Sequence, residues 1–314
     1  MDNSTEIRAH LPAASQPRKR RSGIVAILAV AVALGLLAYG ALYTRTGVDV
    51  MFTLFAPDQS IPDLNPDGPP IQPTANLVRA DTRSLPLAIL QPSGIAWDPT
   101  DERFLVATDQ AELFELPPSL DAVKSSTVIN GAPLLLRQGQ IETVTISDER
   151  AFIAGDYDEI AVWSKGSGGW QTEPGLPLGL GGLPTVGEIA AMSVDPATGT
   201  LVLSDEGQGL LLSLQDGTAL RLQLTGDLRP SRSVSEYQIV GLHHGGDKIV
   251  ALAAGWNDLL YIDPVTGEIS TVYSLVDAGE VSGIALRKDQ AFVTVDHEYS
   301  EASPGVAVYA LPPD

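Results

Sequence analysis

Residues Gln91–Leu116, QPSGIAWDPTDERFLVATDQAELFEL, read as three short strands joined by two tight turns. Gly94 to Trp97 leads into the turn DPTDE, Phe104 to Thr108 into a turn at Asp109 and Gln110, and Ala111 to Leu116 completes the group. Short apolar runs bounded by Asp, Pro and Gln are strand signals, and their close spacing leaves room for hairpins alone. The same order of small residue, apolar run, acid-rich turn and second apolar run returns four more times. Its anchors are Gly94, Thr143, Ala191, Ile239 and Gly283, separated by 49, 48, 48 and 44 residues. A period of roughly 40 to 50 residues with three or four strands per unit is that of β-propeller blades.

The second unit reads as Glu142–Ile146, Ala151–Ala154 and Ile160–Ser164; the third as Ala191–Val194, Leu201–Ser204, Gly209–Leu214 and Ala219–Leu224. The fourth reads as Ile239–His243, Ile249–Ala253, Asp258–Ile262 and Glu268–Leu275, and the fifth as Gly283–Leu286, Ala291–Val295 and Val306–Leu311. The fifth lacks an outer strand, while strand-like sequence within 76–90 has no unit of its own. An N-terminal strand that completes the last blade removes the exposed edges of an open stack. The expectation is an all-β chain forming a five-bladed propeller, with six blades as the alternative if residues 165–187 or 76–90 supply further strands. The glycine-rich run 179–187, GLGGLPTVG, lacks the lysine and helix of a phosphate loop and reads as a connection.

Ahead of the repeats, Arg18, Lys19, Arg20 and Arg21 precede 21 uncharged residues, Gly23–Tyr43. That length suits a helix crossing ~30 Å of hydrocarbon, and the basic flank predicts a cytoplasmic N-terminus with the repeats outside the membrane. A cleavable signal peptide using Ala38 and Gly40 is the alternative. The expected plan is a basic tail at 1–21, a transmembrane helix at 22–44, a juxtamembrane and Pro-rich linker at 45–75 and a propeller at 76–314. Met51, Phe52, Leu54 and Phe55 form an apolar patch suited to the membrane interface or to a partner. Residues 57–75 hold six prolines and read as an extended spacer.

The net charge of −20 divides into +4 over residues 1–46 and −24 over the rest. Such an acidic surface repels phosphate backbones, which argues against nucleic acid and for cations or basic partners. The absence of cysteine excludes disulfides, thiol catalysis and Cys-ligated zinc.

Residues leading into the first strands and residues leaving the second strands fall at one end of a propeller. The first ring is Gln91, Glu142, Glu188, Glu236 and Glu280; the second is Asp109, Asp156, Asp205, Asn257 and Asp296. Converging carboxylates need a cation or another partner, and a hard ion such as Ca2+ suits oxygen donors. Glu188, Glu280, Asp205 and Asp296 are the metal-ligand candidates. Glu142, Glu188, Glu236, Glu280, Asp296 and His297 are the ligand-binding candidates. The competing reading has the aspartates capping turns. Trp256 is a further candidate for the mouth, while His243 and His244, beside the turn HHGGD, read as solvated loop residues. There is no Gly-x-Ser-x-Gly elbow and no His-Glu-x-x-His, and no catalytic residue is assigned.

The stretch Pro92–Asp109, PSGIAWDPTDERFLVATD, with Glu280-Val281-Ser282-Gly283-Ile284-Ala285, resembles the SdiA-regulated, YjiK-like family of membrane-anchored envelope propellers. The likeness spans Gln91 to Leu311 and implies a propeller in the cell envelope. Two departures remove carboxylates: Gln91 stands where that family has Glu, and Gln140-Ile141-Glu142-Thr143 stands where it has Asp-Leu-Glu-Gly. The expected function is a membrane-anchored, extracytoplasmic module binding a small ligand, a cation or an envelope protein. The alternative is a metal-assisted phosphoesterase or lactonase-like hydrolase using the acidic mouth.

Overall fold

The computed structural model describes residues 68–128, 141–155, 159–167, 169–177, 189–205, 210–215, 218–296 and 304–313. The predicted transmembrane segment and the apolar patch at 51–55 lie outside them. Among the described residues, no helix is long and apolar enough to cross a membrane.

The chain forms antiparallel four-strand meanders. β2 (Pro92–Asp98), β3 (Arg103–Thr108), β4 (Glu112–Leu116) and β5 (Ser125–Val128) make one sheet; β6 (Ile141–Ser147), β7 (Arg150–Gly155), β8 (Glu159–Gly166) and β9 (Gly169–Pro177) make the next. β10 (Ile189–Val194), β11 (Leu201–Asp205), β12 (Leu210–Gln215) and β13 (Thr218–Leu222) follow. An eight-stranded sheet joins β14 (Ile239–Gly245), β15 (Lys248–Ala253), β16 (Asp258–Ile262) and β17 (Ile269–Val276) to β18 (Glu280–Arg287), β19 (Gln290–Asp296) and β20 (Gly305–Ala310) through β1 (Ala75–Ser84). The innermost strands β2, β6, β10, β14 and β18 contact one another in a closed cycle. This is a β-propeller, and each blade is named below by its innermost strand.

β1 closes the ring. It pairs antiparallel with β20 as the outer strand of the β18 blade, and its first residues run parallel to β17. Leu77 enters the core between the β14 and β18 blades while Val78 is exposed.

The blades bury both faces. In β3, Phe104 and Val106 pack toward the β18 blade and Leu105 and Ala107 toward the β6 blade. Every residue of RFLVAT is therefore buried, and no polar alternation survives in the sequence. The core is divided into slabs, each shared by two neighbouring blades.

Each inner hairpin carries a bulge at the same register, between Pro92/Gly94, Ile141/Thr143, Ile189/Ala191, Ile239/Gly241 and Val281/Gly283. The fourth anchor is thus Gly241 rather than Ile239. Small residues are needed there because the strands meet: a Cβ on Gly94 would stand 2.9 Å from the Val144 amide nitrogen, and one on Gly241 3.0 Å from that of Ile284.

Three expectations are corrected. Part of the irregular region 165–187 is β9, the outer strand of the β6 blade. The Pro-rich arm is docked from residue 68 onward: Arg229 N–H donates to Pro70 O (2.8 Å), Thr74 N–H to Val272 O (2.7 Å) and Ile71 N–H to the Tyr237 hydroxyl (3.0 Å). The arm satisfies a buried hydroxyl and adds Ile71 to the core between the β10 and β14 blades, and these contacts hold it down. The third concerns His243 and His244. Both lie on β14, and His244 is buried, because the strand continues to Gly245 and turns two residues later than the repeat suggests.

Candidate functional site

A cavity of about 260 Å3 lies on the axis toward the turn end of the inner strands, with β2, β6, β10, β14 and β18 all contributing to its wall. The β2–β3, β6–β7 and β10–β11 turns, through Thr100, Asp148 and Pro196, ring its mouth. This is the end of the axis opposite the predicted acidic rings.

Hydroxyl groups tie the inner strands to one another, in the cavity wall at Ser193 and His244 and elsewhere along the strands. Met192 N–H donates to Thr143 Oγ1 (3.2 Å), His244 N–H to Ser193 Oγ (2.7 Å), and Ser282 Oγ–H to Pro92 O. Each bond joins one blade to the next.

His243 faces the cavity half-buried; burial, with a smaller contribution from His244, pushes its pKa down to about 4. It is a neutral imidazole at neutral pH. The His244 pKa is lowered too, chiefly by burial, against the opposing effects of Asp195 and a hydrogen bond with the Thr200 backbone. Its Nδ1 is sealed without a hydrogen-bond partner among the described residues.

The wall beside the cavity is charge-matched. Arg103, 1% exposed, pairs with Asp98 (2.9 Å), Asp101 (3.1 Å) and Glu115, and its guanidinium lies 5.1 Å from the centre of the Trp170 ring. Trp170 Nε1–H donates to Glu115 Oε1 (2.8 Å), carrying the network into the β6 blade.

The predicted acids that the structure describes occupy different local settings. Glu236 caps the 3-10 turn Val234–Tyr237, accepting from Ser233 N–H (2.9 Å), and pairs with Arg232 (2.8 Å). Glu142 is half-buried at the β6 bulge, and Asp205 is fully buried. Glu280 is exposed and stands opposite Asp296 across β18 and β19. Gln91, at positive φ, accepts from the Gln110 side-chain amide. Glu188, Asp156 and His297 lie outside the described residues. Among the described residues, no three His, Asp or Glu side chains are grouped to hold a metal ion. Trp256 stacks under Arg232, 4.9 Å from guanidinium carbon to ring centre, and packs on the core.

Sequence reasoning chose Asn257 and passed over its neighbour. Asp258 is 1% exposed, its Oδ2 has no hydrogen-bond partner among the described residues, and burial raises its pKa to about 7 against a hydrogen bond with Ser274. On β16 it alternates with Leu260 and Ile262, which both enter the core between the β10 and β14 blades; that alternation is the signal in the sequence.

No protein-family model and no curated protein matches the sequence. Among solved structures the chain is similar to the glutaminyl cyclase of Myxococcus xanthus, at TM-score 0.56 and 18% identity over 77% of this chain and 100% of that one. It is similar at TM-score 0.48 and 13% identity to regucalcin of Agrobacterium tumefaciens strain C58, described as a calcium-binding protein, over 77% and 98% of the two chains. The first likeness agrees with the strand topology in giving a β-propeller. At this identity it shows the fold alone.

Proposed function

We propose that the protein is a membrane-anchored, extracytoplasmic five-bladed β-propeller that binds a small ligand in its axial cavity. The observation that carries this reading is a partly enclosed cavity walled by all the inner strands, whose lining mixes apolar side chains with a few polar groups and includes His243, an imidazole without a hydrogen-bond partner among the described residues. Small-molecule sites are concave, mostly apolar and marked by a few placed polar groups. The basic cluster at 18–21 and the uncharged run 23–43 support the anchor and its orientation. The motifs similar to SdiA-regulated, YjiK-like proteins support the envelope location.

A thermal-shift screen of charged and uncharged small molecules against the full chain tests the cavity. Hits are expected to stabilise the wild type and to lose that effect in Ala96→Leu, which fills the wall; hits unaffected by the substitution, or no hits at all, overturn the reading. Since the chain has no cysteine, Ser119→Cys gives a single exposed label. A membrane-impermeant maleimide should modify it in intact cells with the outer membrane permeabilised, and protection until the inner membrane is lysed would refute the orientation.

The second reading is a cation site at the opposite mouth, with metal-assisted hydrolysis as its enzymatic form. Its support is the cross-strand adjacency of Glu280 and Asp296. Calorimetry with millimolar Ca2+ tests it, and heat that survives Glu280→Gln would exclude that mouth.

A further inference from the structure

The cavity wall has five equivalent positions, each two residues beyond the close approach of the inner strands: Ala96, Thr145, Ser193, His243 and Ala285. They differ in chemistry. Three consecutive blades supply Thr145, Ser193 and His243, and the other two supply alanine. One arc of the wall is polar and the opposite arc is small and apolar.

Ser193 Oγ already accepts the His244 N–H. Thr145 Oγ1 and the His243 ring have no hydrogen-bond partner among the described residues, yet neither is sealed from the cavity as His244 Nδ1 is. Gly245 leaves room for the ring: a Cβ there would stand 3.2 Å from His243 Nε2.

Resting on the reading of the cavity as a ligand site, we infer that its ligand is a small uncharged molecule whose hydroxyl or amide group hydrogen-bonds His243 and Thr145 while its apolar edge lies against Ala96 and Ala285. The size follows from the volume. About 260 Å3 lies below the ~300–1,000 Å3 of drug-sized sites, so one ring with a short substituent fills it.

The exclusion of charge follows from the surroundings. Asp98 is paired with Arg103, and Arg287 is stacked 4.5 Å above Trp97, so neither offers a free counter-charge inside. Asp148 is exposed at the mouth. A neutral imidazole offers one N–H donor and one acceptor nitrogen, which suits an alcohol or amide, whereas an unpaired ion entering the cavity loses hydration without compensation.

The test uses full-length chain in detergent micelles with 15N-labelled histidine, whose four imidazoles are resolved individually by NMR. Benzamide, benzoate, benzylammonium and toluene are titrated, with empty micelles as the control. Benzamide is expected to shift the His243 nitrogens saturably and to bind at least ten-fold more tightly than benzoate or benzylammonium. Thr145→Val and His243→Asn should each weaken benzamide five-fold or more while leaving toluene unchanged. Equal or tighter binding of a charged probe overturns the inference. So does benzamide binding that withstands both substitutions but is abolished by Ala96→Leu, and in that case the cavity still stands as a ligand site. Failure of every probe to perturb His243 overturns the inference together with the cavity reading.

Discussion

The β2 and β14 blades share one meander and one bulge register but treat buried charge in opposite ways. In the β2 blade, Arg103 is enclosed by three carboxylates and an indole. Burial alone would push Glu115 up, but hydrogen bonds from Ser125 and Arg103 and the nearby cations hold it below its ordinary range. In the β14 blade, Asp258 is raised to about 7 and His243 depressed to about 4, each chiefly by burial. Matched charge holds the wall that faces the next blade. Unmatched polar groups occur in the blade that places an imidazole in the cavity.

The contrast breaks most forcefully at Arg103. Arg103→Leu leaves Asp98 buried without its cation and Glu115 with Lys165 alone, 3.8 Å away, and should cost about 3–5 kcal/mol in denaturant unfolding. Adding Asp98→Asn and Glu115→Gln should recover part of that loss, and no recovery would mean that packing on Trp170 outweighs charge.

Asp258→Asn should move the other way. An acid whose folded pKa lies near 7 and whose unfolded pKa is near 4 stays protonated in the native state while the unfolded state ionises. Native stability therefore falls as pH rises from about 4 to 7. The substitution should stabilise by roughly 2–4 kcal/mol at pH 8 and by almost nothing at pH 4, read from urea midpoints at both values. A pH-independent gain would show that the carboxyl is not the cause.

His243 has the opposite sign. Its folded pKa lies below the unfolded value near 6.5, so stability is lost as pH falls from 6.5 toward 4. His243→Leu should abolish that limb of the profile, worth about 1–2 kcal/mol for a ring partly open to the cavity. The two changes together would flatten the β14 blade's response between pH 4 and 7. The smallest effect is expected at Ser193→Ala, which removes the hydroxyl that accepts the His244 N–H and should cost about 1 kcal/mol.

Much of the architecture was legible because hairpin grammar is local. DPTDE, DPATG and DPVTG carry aspartates that cap their own turns: Asp98 accepts from Thr100 and Asp101, Asp195 from Ala197 and Thr198, and Asp263 from Val265 and Thr266. Closure by an N-terminal strand was legible from the missing outer strand of the last repeat. β9 was not, because GWQTEPGLP has weak strand character and is set by pairing with β8. The acids illustrate the same limit. Glu236 looked like one member of a ring, yet it sits three residues into a capping box, where its carboxylate is engaged locally.

The sequence by itself determined the repeat, its strand order and the strand that closes it, because each depends on spacing along the chain. The tertiary structure alone decided where chemistry is available. Whether Thr145, Ser193 and His243 meet, and whether Asp258 finds a partner, depends on residues some 50 positions apart being brought to one radius of the ring. Burial and the free hydrogen-bonding capacity that remains are properties of that convergence, and no single repeat contains them.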